Sequence, residues 1–110
     1  MRRFAWVLAI WSGVVTAQDW QVLSGDAIRA ALDARRVDYD SGAWQEFRAS
    51  GRTLYNAGAD SWGYWRFQGD FYCSQWPPSD LWACYSVEVA GDALGFIGAS
   101  GEVTAAMFAD

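Results

Sequence analysis

The sequence predicts a mainly β domain, in which an N-terminal helix leads into an antiparallel meander of about eight short strands forming a small barrel or curled sheet. Three observations carry this. From Val37 onward apolar and polar residues alternate with period two. Turn-forming groups recur roughly every ten residues: Asp40-Ser41-Gly42, Ser50-Gly51, Gly58-Ala59-Asp60, Gly69-Asp70, Pro77-Pro78-Ser79-Asp80, Gly91-Asp92 and Ser100-Gly101. Helical spacing occurs over residues 24 to 35, where Ser24 can cap, Asp26 complements the positive helix end, and Ile28, Ala31, Leu32 and Arg35 recur on one side.

Ahead of that helix, Arg2 and Arg3 precede an apolar run from Phe4 to Val15, and small residues Val15 and Ala17 fit the positions before a signal-peptidase cut. The run is shorter than the roughly 20 apolar residues a spanning helix needs, so residues 1 to 17 read as a cleaved secretory signal rather than an anchor. Residues 18 to 110 then form a single small β-rich domain, periplasmic or secreted, with no stable membrane insertion. No cysteine follows the cut, which excludes lipidation there. The mature chain sets 6 Arg against 13 acids, a net charge of −7. That balance excludes a nucleic-acid partner, which requires a basic footprint.

A domain of this size buries only about 64% of its unfolded surface, so a covalent staple is useful. Cys73 and Cys84 are the two cysteines, and in an oxidising compartment an isolated close pair is most simply a disulfide. The alternative, a metal or redox pair, lacks a histidine to complete a zinc shell and a Cys-x-x-Cys spacing. Two-residue loops also set the register. Gly69-Asp70 places Phe67 opposite Tyr72, Trp65 opposite Ser74 and Arg66 opposite Cys73; Gly91-Asp92 pairs Val89 with Leu94 and Val87 with Phe96. Val37, Tyr39, Phe47 and Leu54 extend the same inner face, and both cysteines fall on the other. With Trp65, Phe67, Tyr72, Tyr85 and Phe96 filling the interior, the expected core leaves no roomy cavity, and the helix plugs or covers one opening.

Chemistry is constrained by what is missing. Histidine is absent, which removes the commonest catalytic base and metal ligand. The serines have no imidazole to activate them and no Gly-x-Ser-x-Gly elbow is present. Asp60, Asp70 and Asp80 sit in turns that favour aspartate for local reasons, which leaves no distinct carboxylate pair. Asp38-x-Asp40 departs from a calcium loop at Ala43 and Ala49. The reading is a non-enzymatic protein without cofactor or metal. By parity Trp62, Tyr64 and Arg66 point outward, and with Trp76 or Trp82 nearby they form a binding platform for a sugar, a peptide ring or another protein.

The run Tyr64-Trp65-Arg66, Gly69-Asp70, Tyr72-Cys73-Ser74-Gln75-Trp76-Pro77-Pro78-Ser79-Asp80 and Trp82-Ala83-Cys84-Tyr85 resembles a group of small exported bacterial proteins of uncharacterised function. The likeness also takes in Gly51-Arg52-Thr53-Leu54-Tyr55 and the leading helix. It implies export, a Cys73–Cys84 bridge and a β-rich fold, and it carries no activity. The expected function is binding of an envelope protein or glycan through the exposed surface. Two rivals are a calycin-like small-ligand carrier, which needs a cavity of about 300 Å³ or more, and a proteinaceous enzyme inhibitor presenting Gln18 to Leu23 or Pro77 to Asp80.

Overall fold

A computed structural model describes residues 19–109; the signal read at residues 1 to 17 lies outside them. In chain order the elements are β1 (Gln21–Val22), α1 (Asp26–Leu32), β2 (Arg35–Tyr39), β3 (Trp44–Phe47), β4 (Arg52–Asn56) and β5 (Asp60–Gln68). They continue with β6 (Phe71–Gln75), β7 (Trp82–Ala90), β8 (Ala93–Ile97) and β9 (Val103–Phe108). Strands β2 to β9 pair antiparallel with their neighbours, and β9 returns to pair with β2 through Val37↔Phe108 and Tyr39↔Ala106. The meander therefore closes into an eight-stranded barrel, which removes the exposed sheet edges an open meander would carry. Strand β1 is the extra strand, lying on β7 beyond the end of β6.

The seven turns lie where the sequence places them, and the hairpin registers follow. Gly69 and Gly91 adopt φ 58° and 60°, as the first central position of a two-residue loop of this hand requires. Phe67↔Tyr72, Trp65↔Ser74, Val89↔Leu94 and Val87↔Phe96 pair as expected. Leu54 is the exception. The Phe47↔Thr53 pairing turns Thr53 inward, where it hydrogen-bonds Gln45, so Leu54 sits on the outer face between Glu46 and Trp62 and is buried there.

Helix α1 is shorter than its apolar spacing suggests, ending at Leu32 rather than residue 35. Ala34 takes a left-handed φ of 59° and turns the chain, and Arg35 already pairs with Phe47. The barrel ladder outcompetes the last helical turn. Nor does Ser24 cap it: the N-cap is Gly25, and the Ser24 carbonyl accepts the Ala27 N–H at 2.9 Å. Ile28 and Leu32 are fully buried against Val37, Phe47, Val87 and Leu94, so the helix closes one end of the barrel.

Cys73 and Cys84 face each other across β6 and β7 with Cα atoms 4.0 Å apart and are joined by a disulfide on the outer face. Closing an 11-residue separation restricts the unfolded chain, worth roughly 3 kcal/mol. The Cys73→Ser, Cys84→Ser double variant is expected to lose about that much while keeping a β-rich circular dichroism spectrum. Two titratable thiols in the unfolded, unreduced wild-type protein would contradict it.

Candidate functional site

The end opposite α1 is open, and beneath it lies a cup of about 550 Å³ lined by Tyr39, Ser41, Gln45, Tyr55, Ser61, Trp62, Tyr72, Ser74, Trp76, Pro77, Tyr85, Phe96 and Thr104. This corrects the expected filled interior. Tyr72, Tyr85 and Phe96 do point inward, but the bulk of the aliphatic and aromatic filling, including Trp65 and Phe47, gathers at the plugged end with the helix. In the other half the inward positions alternate with small polar residues such as Ser61, Ser74 and Thr104, which leave space. None of the lining side chains is charged.

The floor is a polar network set into aromatic walls. Gln45, almost fully buried, donates from Nε2 to Thr53 Oγ1 at 2.9 Å and to the Tyr72 hydroxyl at 3.1 Å, and its Oε1 accepts the Tyr39 hydroxyl. The Thr53 hydroxyl in turn donates a hydrogen bond to the Glu46 carbonyl at 2.7 Å. Both amide hydrogens of Gln45 are thus used, which fixes its orientation and satisfies an otherwise costly buried amide. Burial pushes the Tyr72 hydroxyl up to about 12, against the smaller opposing effect of hydrogen bonds with Ser74 and Gln45. Tyr39 is raised further, by burial first and then by Tyr72, Tyr55 and Tyr85 around it. The phenols of the floor stay neutral throughout the physiological range.

Trp76 belongs to this cup and not to the outer platform. Its ring lies over Gly63, where an added Cβ would come within 2.6 Å of the indole and 2.5 Å of the Gln75 carbonyl oxygen. It meets Tyr55 edge-on at 6.0 Å, and its Nε1 donates to Ser74 Oγ at 3.2 Å. The missing side chain at Gly63 is what lets an indole fold across β5 at the cup wall.

The rest of the expected platform is on the outer face, as parity requires, with Trp62 also bordering the cup. Trp62 and Tyr64 are 41% and 43% exposed. Arg48 and Arg52 stack on Trp62 at 5.0 and 4.9 Å, and Arg66 stacks on Trp82 at 3.9 Å. The structure therefore brings together Trp62, Tyr64, Arg66 and Trp82 on one outer face and separates Trp76 from them. A second hollow, at the plugged end, is lined by Arg35, Arg36, Glu46, Phe47 and Arg48. Its cations are already engaged: Arg36 and Arg48 pair with Asp38 and Glu46, and Arg35 stacks on Phe108. Among the described residues no group of three or more His, Cys, Asp or Glu side chains is placed to hold a metal ion, and no helix is long and apolar enough to cross a membrane.

Sequence reasoning placed Tyr39, Tyr72, Tyr85 and Phe96 inside but read them as packing, and it missed Gln45, Tyr55, Ser61 and Thr104. The signal available was Gln45: on β3 it shares the inward phase of Phe47, and a polar residue on an inward phase marks either a satisfied network or a cavity wall.

Fold and site together define a closed antiparallel β-barrel, plugged by a helix at one end and open over an aromatic cup at the other. No protein-family model, curated protein or solved structure matches the chain.

Proposed function

We propose that this is an exported, non-enzymatic binding protein that holds a small molecule in the open end of its barrel, in the manner of a calycin-like carrier. The carrying observation is the cup itself: about 550 Å³, within the 300 to 1,000 Å³ range roughly typical of small-molecule sites, with mainly aromatic walls and a few fixed polar groups. The reading requires no cofactor and assigns no catalytic residue. Export is part of the same proposal, supported by the disulfide and by the apolar leader sequence. So is kinship with the small exported bacterial proteins that the Tyr64 to Tyr85 run resembles. Docking of an envelope protein or glycan on the outer face is less well supported, because Trp62 and Trp82 already carry stacked arginines.

The test is a fluorescence titration with the neutral dye N-phenylnaphthylamine, which brightens in apolar sites. Saturable binding of one dye per chain is expected. Ser61 is exposed at the cup edge, so Ser61→Trp should fill the mouth and weaken dye binding at least about tenfold, equivalent to about 1.4 kcal/mol, with little change in melting temperature. Absence of saturable binding, or an unaffected Ser61→Trp variant, would remove the proposal.

A further inference from the structure

We infer that the ligand of the cup is an organic cation, an ammonium group carried on an apolar or aromatic body. This rests on the cup being a binding site and assigns the charge of what it binds. The first observation is where the carboxylates stand. Four hairpin connections lie at the open end, between β2 and β3, β4 and β5, β6 and β7, and β8 and β9, and each presents one exposed carboxylate. Asp40 and Asp80 lie in their turns, Asp60 opens β5 and Glu102 directly precedes β9. Ser41 and Pro77, from two of these connections, and Ser61, next to Asp60 at the start of β5, line the cup itself, so the carboxylates ring its mouth.

The cations lie elsewhere. The chain has no lysine. Of its arginines among the described residues, Arg29 is on the plugging helix, Arg35 and Arg36 open β2, Arg48 and Arg52 flank the turn between β3 and β4, and Arg66 approaches the turn between β5 and β6. The ion pairs among the described residues, Arg36–Asp38 and Arg48–Glu46, leave the rim carboxylates out. Acidic residues such as Asp70 and Asp92 also occur in turns at the plugged end, but the arginines gather at that end too, whereas the four connections at the mouth carry none. A mouth of one sign over low-dielectric walls concentrates counter-ions at its opening.

The second observation is the wall chemistry. Tyr39 meets Tyr55 at 6.0 Å, Tyr55 meets Trp76 at 6.0 Å, and Tyr72 lies between Tyr85 at 6.1 Å and Phe96 at 5.2 Å. Aromatic faces carry negative partial charge and attract cations, most strongly ammonium groups that surrender little hydration. An anion would meet repulsion at the rim and again at the ring faces. A bare metal ion is disfavoured for a different reason: hard cations need several converging oxygen ligands, and no such cluster exists among the described residues.

The test compares three probes of one shape in calorimetric titrations of the mature protein: para-hydroxyphenyl trimethylammonium, its neutral counterpart para-tert-butylphenol, in which carbon replaces nitrogen, and para-hydroxybenzenesulfonate. The cation is expected to bind about tenfold tighter than the neutral compound, and the sulfonate weakest. The combined rim variant Asp40→Asn, Asp60→Asn, Asp80→Asn, Glu102→Gln should weaken the cation about tenfold and leave the neutral compound within about twofold. Added salt should act on the wild-type protein in the same direction, which keeps the rim's contribution measurable if the variant folds poorly. Equal affinity for the cation and the neutral compound overturns the charge assignment while leaving the cup a ligand site. A cation preference indifferent to both salt and the rim variant overturns the part given to the carboxylates. Failure of all three probes to bind overturns the assignment, and joined to failure of the neutral dye it overturns the cup as a site too.

Discussion

Phe47→Ala is expected to destabilise the protein by about 3 to 5 kcal/mol, the usual loss for truncating a buried large aromatic. Phe47 is 1% exposed and stands where the plugged half of the barrel meets the cup. Its ring meets Trp65 edge-on at 5.5 Å and Tyr72 edge-on at 5.6 Å, with Phe96 at 6.4 Å. Trp65 has little freedom to collapse into the vacated space, because its Nε1 is tied to the Arg48 carbonyl at 2.8 Å and Arg29 stacks on its ring. A rigid lining keeps the cavity open and puts the cost toward the upper end. A domain of about 90 residues has on the order of 5 to 14 kcal/mol in total, so chemical denaturation should show the loss of a large fraction of it. Trp62→Ala, on the outer face, should cost about 1 kcal/mol or less. Comparable losses in the two variants would mean that the inward and outward faces of the barrel have been wrongly divided.

That division was legible in the sequence wherever a short turn pinned the register. A two-residue loop leaves no slack, so Gly69-Asp70 and Gly91-Asp92 determine which residues face across β5, β6, β7 and β8, and the cysteines fall opposite each other as a consequence. Leu54 was misplaced because the turn before β4 is longer, and residue type alone favoured leucine over its neighbour Thr53 for the interior. The Phe47↔Thr53 pairing sets the phase, and the inward Thr53 is satisfied by the Gln45 side chain on another strand, which hydrophobic periodicity does not register. The helix end was lost for a similar reason: the apolar spacing continues to Arg35, but pairing of Arg35 with Phe47 depends on where β3 lies. The cup was hidden because an inward aromatic counts toward a core whether or not another side chain fills the space beside it. Trp76 shows the limit most clearly, since its position depends on Gly63 across the sheet offering a surface without a side chain.

Alkaline pH should unfold the protein through the phenols at the cup floor. An exposed tyrosine ionises near 10, whereas burial holds Tyr72 at about 12 in the fold. Between those values the unfolded chain gives up a proton that the folded protein keeps. Stability is therefore complete below about pH 10 and falls as pH rises, by about 1.4 kcal/mol per pH unit for each such group. Tyr72 alone accounts for a loss of about 2 kcal/mol by pH 12. Tyr39, raised higher still by burial and by the tyrosines around it, loses stabilisation over the same interval and beyond. Urea unfolding followed from pH 8 to 12 should thus show a steepening decline above pH 10, and the Tyr39→Phe, Tyr72→Phe variant should show a flatter one from a lower starting stability. The lower start follows from Gln45, whose Oε1 and one amide hydrogen lose their partners when the two hydroxyls go. Phenolate absorbance from Tyr39 and Tyr72 rising near pH 10, with the fold intact, would show that water reaches both hydroxyls. The cup floor would then be a solvated surface, with the Gln45 network exchanging its hydrogen bonds with water.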